Sequence, residues 1–278
     1  MSEQSKPLVV SKSRRPWLRS VVTALITVIL LSPILTVFWL ALRAPLAWQQ
    51  SGLTLATFWY VLTQTDLPRW LTNSILVSLF ATVASVVVAA PAGYVIARGK
   101  GRVTSAFSFF IFVLQSLPAV AFIIPLFIMF AKIGLTDSLP GVAIVYVASS
   151  IAVGCWMMTA YFDTLPVALE EAAWIDGASI IGAFIRIILP NSLPGILSTA
   201  LFAFLNSWND YLVASVFLHS DSQFTMPIGL QTFFQQNLAD WGPVMACAVI
   251  MMAPPVIVFA VLNRYFSIGG IGGSLAGR

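Results

Sequence analysis

The sequence predicts an all-α integral membrane protein with six transmembrane helices and a cytoplasmic helix between the fourth and the fifth. Three observations carry that prediction. Hydrophobic residues fill 59% of the 278 positions and charged residues only 9%, against about 25% charged in an ordinary soluble domain. Mean hydropathy is +0.93. Apolar runs of about 20 residues recur along the chain, the length that crosses a hydrocarbon layer of roughly 30 Å as a helix, and a helix satisfies its own backbone where lipid cannot. Finally, lysine and arginine segregate between these runs.

The first 16 residues form a basic tail, followed by a first span over Trp17 to Leu42. That apolar stretch exceeds the roughly 7–15 residues of a signal peptide, so a retained anchor is expected. An external segment over 43–71 contains "LTLATFWYVLTQ", with Leu53, Thr57 and Tyr60 or Val61 at helical spacing. This is the pattern of a short helix lying at an interface. The core, 72–264, holds further spans over Thr72 to Ala97, Ser105 to Phe130, Pro140 to Phe162, Leu193 to Leu218 and Gly242 to Asn263. Pro91, Pro118, Pro125, Pro254 and Pro255 fall inside them, and each removes a backbone hydrogen bond. A cytoplasmic tail over 265–278 closes the chain.

Basic residues stay on the cytoplasmic side during insertion. With the N-terminus inside, the inner segments carry 11 lysines and arginines and the outer ones only Arg43, Arg69 and Lys132, so both termini are expected in the cytoplasm. The net charge of +4 lies in short clusters at span ends, which suits lipid headgroups and offers no stripe for nucleic acid. Cys155 and Cys247 sit in apolar runs with no partner at ligand spacing and read as small core residues; no metal site is expected.

The segment 163–192, "DTLPVALEEAAWIDGASIIGAFIRIILPNS", is too polar in its first half to cross a membrane. Asp163 or Thr164 suits a helix start, Pro166 its first turn, and Glu170 and Glu171 the positive end of the dipole. Gly177 suits a left-handed stop and Ser179 the next start. Ala168, Ala172 and Ile175 share one small-residue face, which fits either a groove on a cytoplasmic partner or packing on the chain's own bundle.

Glu171, Ala172, Ala173, Gly177, Ile187, Leu189 and Pro190 match E-A-A-x3-G-x9-I-x-L-P without a gap. The chain therefore resembles the permease subunits of bacterial ATP-binding-cassette importers. "WLTNSILVSL", "IPLFIMFAKIGLTDS", "SWNDYLVA" and "NRYFSIGGIGGSLAGR" make it similar to the carbohydrate-uptake branch, in particular the six-helix permease of the maltose importer. The resemblance implies a type I importer permease of the bacterial cell membrane whose coupling helix, through Glu170, Glu171, Ala172, Ala173, Asp176 and Gly177, docks on an ATPase subunit. It implies as partners two ATPase subunits carrying ATP and magnesium, a second homologous permease and an extracytoplasmic solute-binding protein. It also implies that the tail from Gly269 to Gly277 reaches between the ATPase subunits, where simple disorder is the other reading.

No catalytic residue is expected in this chain. "GYVIARGK", Gly93 to Lys100, separates its glycines by five residues, where a phosphate loop separates them by four and follows its lysine with Ser or Thr. In the external stretch from His219 to Trp241, the resemblance makes Phe233, Phe234, Gln235, Gln236 and Asn237 candidate contacts for the binding protein, with a plain interfacial cap as the alternative. Asn206, Asn209 and Asp210 interrupt the fifth apolar run. Intramembrane polar groups suggest a pathway; capping a broken helix or bonding across helices explains them equally. His219 reads as interfacial. Another cargo, glycerol phosphate or polyamine, would call for charged residues facing the pathway, and an ATP-independent secondary carrier for midplane ionisable groups and repeated halves. The chain offers one intramembrane carboxylate and no clear repeat.

Overall fold

The computed structural model describes residues 16–44, 52–234 and 240–275. They are almost entirely helical. Four unbroken helices are long and apolar enough to span a membrane: α1 (Pro16–Ala41), α3 (Leu67–Arg98), α6 (Leu139–Asp163) and α13 (Trp241–Leu275). Between them lie α2 (Ala56–Thr63), α4 (Arg102–Ser116), α5 (Ala119–Lys132), α7 (Ala168–Ile175), α8 (Ile180–Ala183), α9 (Leu189–Asn191), α10 (Leu193–Trp208), α11 (Leu212–Phe217) and α12 (Met226–Thr232).

Two expected spans are broken. The third becomes α4 and α5, bent by 97° across Leu117 and Pro118, both extended. Proline pushes its preceding residue out of the α region, and here the chain leaves the helix, whereas α3, α5 and α13 run through Pro91, Pro125, and Pro254 with Pro255. The fifth expected span stops at Trp208 and restarts at Leu212 as α11. The last helix, by contrast, runs past the expected Asn263 to Leu275, so a helix occupies much of the stretch expected as a flexible tail.

The centre of the bundle is α3 against α6, with α10 as the third member. Small residues make the approach close. A Cβ on Gly93 would lie 2.7 Å from Met158 Cβ, and one on Gly154 3.0 Å from Ala89 Cβ. Such contacts matter because lipid removes the hydrophobic drive between membrane helices and leaves packing to hold them. Tyr146, Phe162, Met158 and Phe217 are fully enclosed. α1 leans on α13 and turns the apolar Leu25, Val28, Ile29 and Leu30 outward.

The Trp70 end of α3 gathers the connecting segments. An antiparallel bridge joins Arg43 to Leu53, and α2 then buries Thr57 and Val61. Trp70 Nε1 donates to Asp221 O at 3.1 Å, Asn73 Nδ2 to Ser222 O and Phe224 O at 3.0 and 2.9 Å, and Met226 N donates to Ser74 Oγ at 2.7 Å. Alongside, Asp137 has a φ of 51° and its carboxylate accepts from the amides of His219 and Ser220 at 2.8 and 2.9 Å and from the Ser220 hydroxyl. These bonds, the hydroxyl first, hold the Asp137 carboxyl below the usual carboxylate range. His219, bland in sequence, is thus fixed through its backbone, with its ring 5.9 Å from that of Phe127.

Candidate functional site

At the Arg98 end of α3 the chain between α6 and α10 builds a small projecting unit. α6 persists to Asp163 because Phe162 still packs fully into the core. The expected start at Asp163 or Thr164 is therefore corrected: both close α6, and Thr164 Oγ1 bonds back to Tyr161 O at 2.6 Å. Pro166 forms the turn, its carbonyl accepting from Leu169 N at 3.2 Å, and α7 begins two residues later with Glu170 and Glu171 in its first turn.

α7 ends in a Schellman arrangement. Gly177, with φ +84°, donates to Trp174 O at 3.0 Å while Ala178 N donates to Ala173 O at 2.9 Å, the paired bonds that a left-handed residue makes possible. Ser179 Oγ then accepts from Gly182 N at 3.1 Å and caps α8. A π-helical turn over Phe184–Ile188 follows, and α9 leads into α10.

Helical spacing sorts the acidic cluster into two faces. Glu171, Ala172, Asp176 and Gly177 are exposed, and Ile175 stands out at 86% exposure beside Ile180 and Ile181. Glu170 and Ala173 face the bundle and are buried. Glu170, grouped by sequence with the docking residues, is turned inward: Tyr94 OH donates to its Oε2 at 2.6 Å and Arg98 Nε to its Oε1 at 2.7 Å. Arg98 Nη2 also reaches Leu165 O at 3.0 Å. Sequence reading missed Tyr94 and Arg98. An arginine closing a helix is an ordinary C-terminal residue, and nothing local points to a carboxylate in a different element.

Gly93 to Arg98 lies inside α3, with Gly93 packed on Cys155 and Met158, so this stretch is helix and cannot curl round a phosphate. Among the described residues no cluster of His, Cys, Asp and Glu is arranged to hold a metal.

Asn206, Asn209 and Asp210 come together at the break between α10 and α11. Asp210 Oδ1 accepts from Tyr146 OH at 2.9 Å and from Val213 N and Ala214 N at 3.0 and 3.2 Å, so it caps α11 and ties it to α6. Asn206 Nδ2 bridges to Ser149 Oγ and Ser150 Oγ, both at 3.3 Å, and Asn209 Nδ2 bonds to Leu205 O at 2.9 Å. Ser149, Asn206 and Asn209 remain exposed on one side of the bundle. At the far loop, Phe233 meets Trp70 edge to face at 6.1 Å and Phe234 meets Trp241 at 6.0 Å; Gln235, Gln236 and Asn237 lie outside the described residues.

Residues 85–267 match the family described as binding-protein-dependent transport system inner membrane component. The chain is 32% identical over 212 residues to the trehalose/maltose transport system permease protein of Thermococcus litoralis, covering 76% of each chain. It is 30% identical over 271 residues to the arabinooligosaccharides transport system permease protein of Halalkalibacterium halodurans, covering 92% of this chain and 96% of that one. The fold matches a subunit of a bacterial ABC transporter involved in the import of alginate, with a TM-score of 0.75 and 22% identity over 90% of this chain and 95% of that one. With its apolar helices and its signature segment at one end of the bundle, the chain belongs to the binding-protein-dependent transport system inner membrane components, the membrane-embedded permease subunits of ABC importers.

Proposed function

We propose that this chain forms one half of the translocation pore of an ATP-driven importer for a sugar or sugar-like solute, with both termini in the cytoplasm. The observation that carries the reading is the projecting α7–Gly177–α8 unit, whose outer face offers Glu171, Ala172, Asp176 and the apolar Ile175, Ile180 and Ile181. Carboxylates around a small, partly apolar face suit a basic-rimmed groove on a soluble subunit. In this reading two ATPase subunits hold ATP and magnesium, close on the nucleotide and displace α7. A second permease completes the pore, and an extracytoplasmic binding protein delivers the solute near Phe233 and Phe234.

The sugar assignment rests on the trehalose/maltose and arabinooligosaccharide relatives and on the chemistry of the exposed Ser149, Asn206 and Asn209. Neutral amides and hydroxyls exchange hydrogen bonds with a polyol without holding an ion. ATP binding shifts the pore only as far as it favours one conformation; moving it from 1:99 to 99:1 takes about 5.5 kcal/mol, which has to pass through α7. The test is reconstitution with the candidate ATPase, second permease and binding protein and measurement of radiolabelled oligosaccharide uptake. Uptake that requires ATP and is lost in Glu171→Ala combined with Gly177→Asp is expected. Uptake by this chain alone without ATP would overturn the reading.

A further inference from the structure

α7 has eight residues, too few to hold itself as a helix in isolation, so its orientation depends on what fastens it to the bundle. The most directional fastening is one carboxylate. Both oxygens of Glu170, 1% exposed, are taken by α3, one by Tyr94 OH and the other by Arg98 Nε, and the same guanidinium holds Leu165 O in the turn that leads into α7. Phe162 and Phe184 pack against the Tyr94 ring at 5.7 and 4.7 Å and shut the site. A buried ion pair is a weak source of net stability compared with apolar packing of similar volume. What it supplies is a fixed direction and a fixed register between two elements.

α3 then runs 32 residues as one helix, about 48 Å at 1.5 Å per residue. At its other end Trp70, Asn73 and Ser74 grip the backbone of 221–226. The helix is therefore clamped at both ends to segments that lie outside the central packing.

We propose that Tyr94, Arg98 and Glu170 form a latch that makes α7 and α3 move as one body, so that displacement of α7 is delivered along α3 to the segment at its far end. The proposal rests on the permease reading, and it makes these three positioning residues that touch neither nucleotide nor solute. When the latch is cut, α7 still presents Glu171, Ala172, Asp176 and Gly177 to the ATPase but swivels instead of driving α3.

The experiment uses the assembled transporter with Arg98→Ala, Glu170→Gln and Tyr94→Phe, the last two nearly isosteric so that folding is retained. Three quantities are read: ATPase subunit bound, ATP hydrolysed, and solute imported per ATP. The expected result is full ATPase binding and continued hydrolysis, with solute per ATP reduced about tenfold in Arg98→Ala and severalfold in Glu170→Gln. Amides of 169–178 in the isolated full chain should also exchange hydrogen at least tenfold faster. Unchanged solute per ATP, or hydrolysis and uptake falling in proportion, overturns the latch. A wild-type chain that binds no ATPase overturns instead the reading on which the latch rests.

Discussion

Arg98 and Glu170 meet at 2.7 Å across 72 residues of sequence, the last turn of α3 against the first turn of α7. The Arg98 side chain keeps 16% of its exposure and that of Glu170 1%. Glu170, immediately before the family signature, therefore belongs to the bundle, and Glu171, the signature's first residue, belongs to the surface.

Gly177 sits at φ +84° with no atom within 4 Å of where a Cβ would stand. The penalty for a side chain is thus conformational, about 1–2 kcal/mol for an L-residue in the left-handed region and more for a β-branched one. Gly177→Val is expected to abolish ATP-driven uptake, whereas Gly177→Asn, which tolerates this region, should keep most of it. Equal loss in both would point to the space around Gly177 and away from its backbone.

Gly93→Leu forces its side chain onto Met158 Cβ and Cys155 O, 2.7 and 2.9 Å from a Cβ. Overpacking of this kind destabilises by about 1–3 kcal/mol, and here it wedges α3 from α6. A thermal melt in detergent should show a drop of several degrees, with Gly93→Ala intermediate.

Asn73→Ala leaves the carbonyls of Ser222 and Phe224 without their donors at a site 7% exposed. Each hydrogen bond lost is worth about 0.5–1.5 kcal/mol net. Hydrogen exchange over 221–230 should rise while protection of α6 is unchanged, and the ATPase binding proposed for α7 should be retained.

Acid should undo the Asp137 clasp. Its carboxyl is held low by the Ser220 hydroxyl and the His219 and Ser220 amides, so the stabilisation is fully present above the unfolded value of about 3.9 and disappears as pH falls through the lower folded value. Protease protection of 217–224 is expected to be flat from about pH 5 to 8 and to fall only below the ordinary carboxylate range. Asp137→Ala should lose it at every pH.

Asn206→Ala separates the two readings of the polar break. If Asn206 meets the solute, half-saturation of uptake rises severalfold with little change in melting temperature. A melting shift with unchanged half-saturation assigns it to the Ser149 and Ser150 bonds alone.

Much of this architecture was legible locally. Long apolar runs mark α1, α3, α6 and α13, since crossing lipid demands both length and internal hydrogen bonding. Gly177 and Ser179 announced a stop and a start because only a few residue types fit a left-handed cap or accept from a helix N-terminus. The breaks at Leu117–Pro118 and after Trp208 were less legible. Pro91, Pro125, Pro254 and Pro255 carry the same chemistry as Pro118 yet stay within their helices, so the presence of a proline does not by itself say which helix ends.

The sequence by itself determined that this chain lives in a membrane, that it belongs with importer permeases, and where its signature turn lies, because those facts follow from hydropathy, from backbone preferences and from a motif at fixed spacing within one short segment. Only the tertiary structure decided that Glu170 faces Arg98 and Tyr94, that Asp210 caps α11 while holding Tyr146, and that Asn73 grips the segment after Asp221. Each of these joins groups far apart along the chain, and a side chain's partner across such a distance is set by which helices pack together, which no local spacing records.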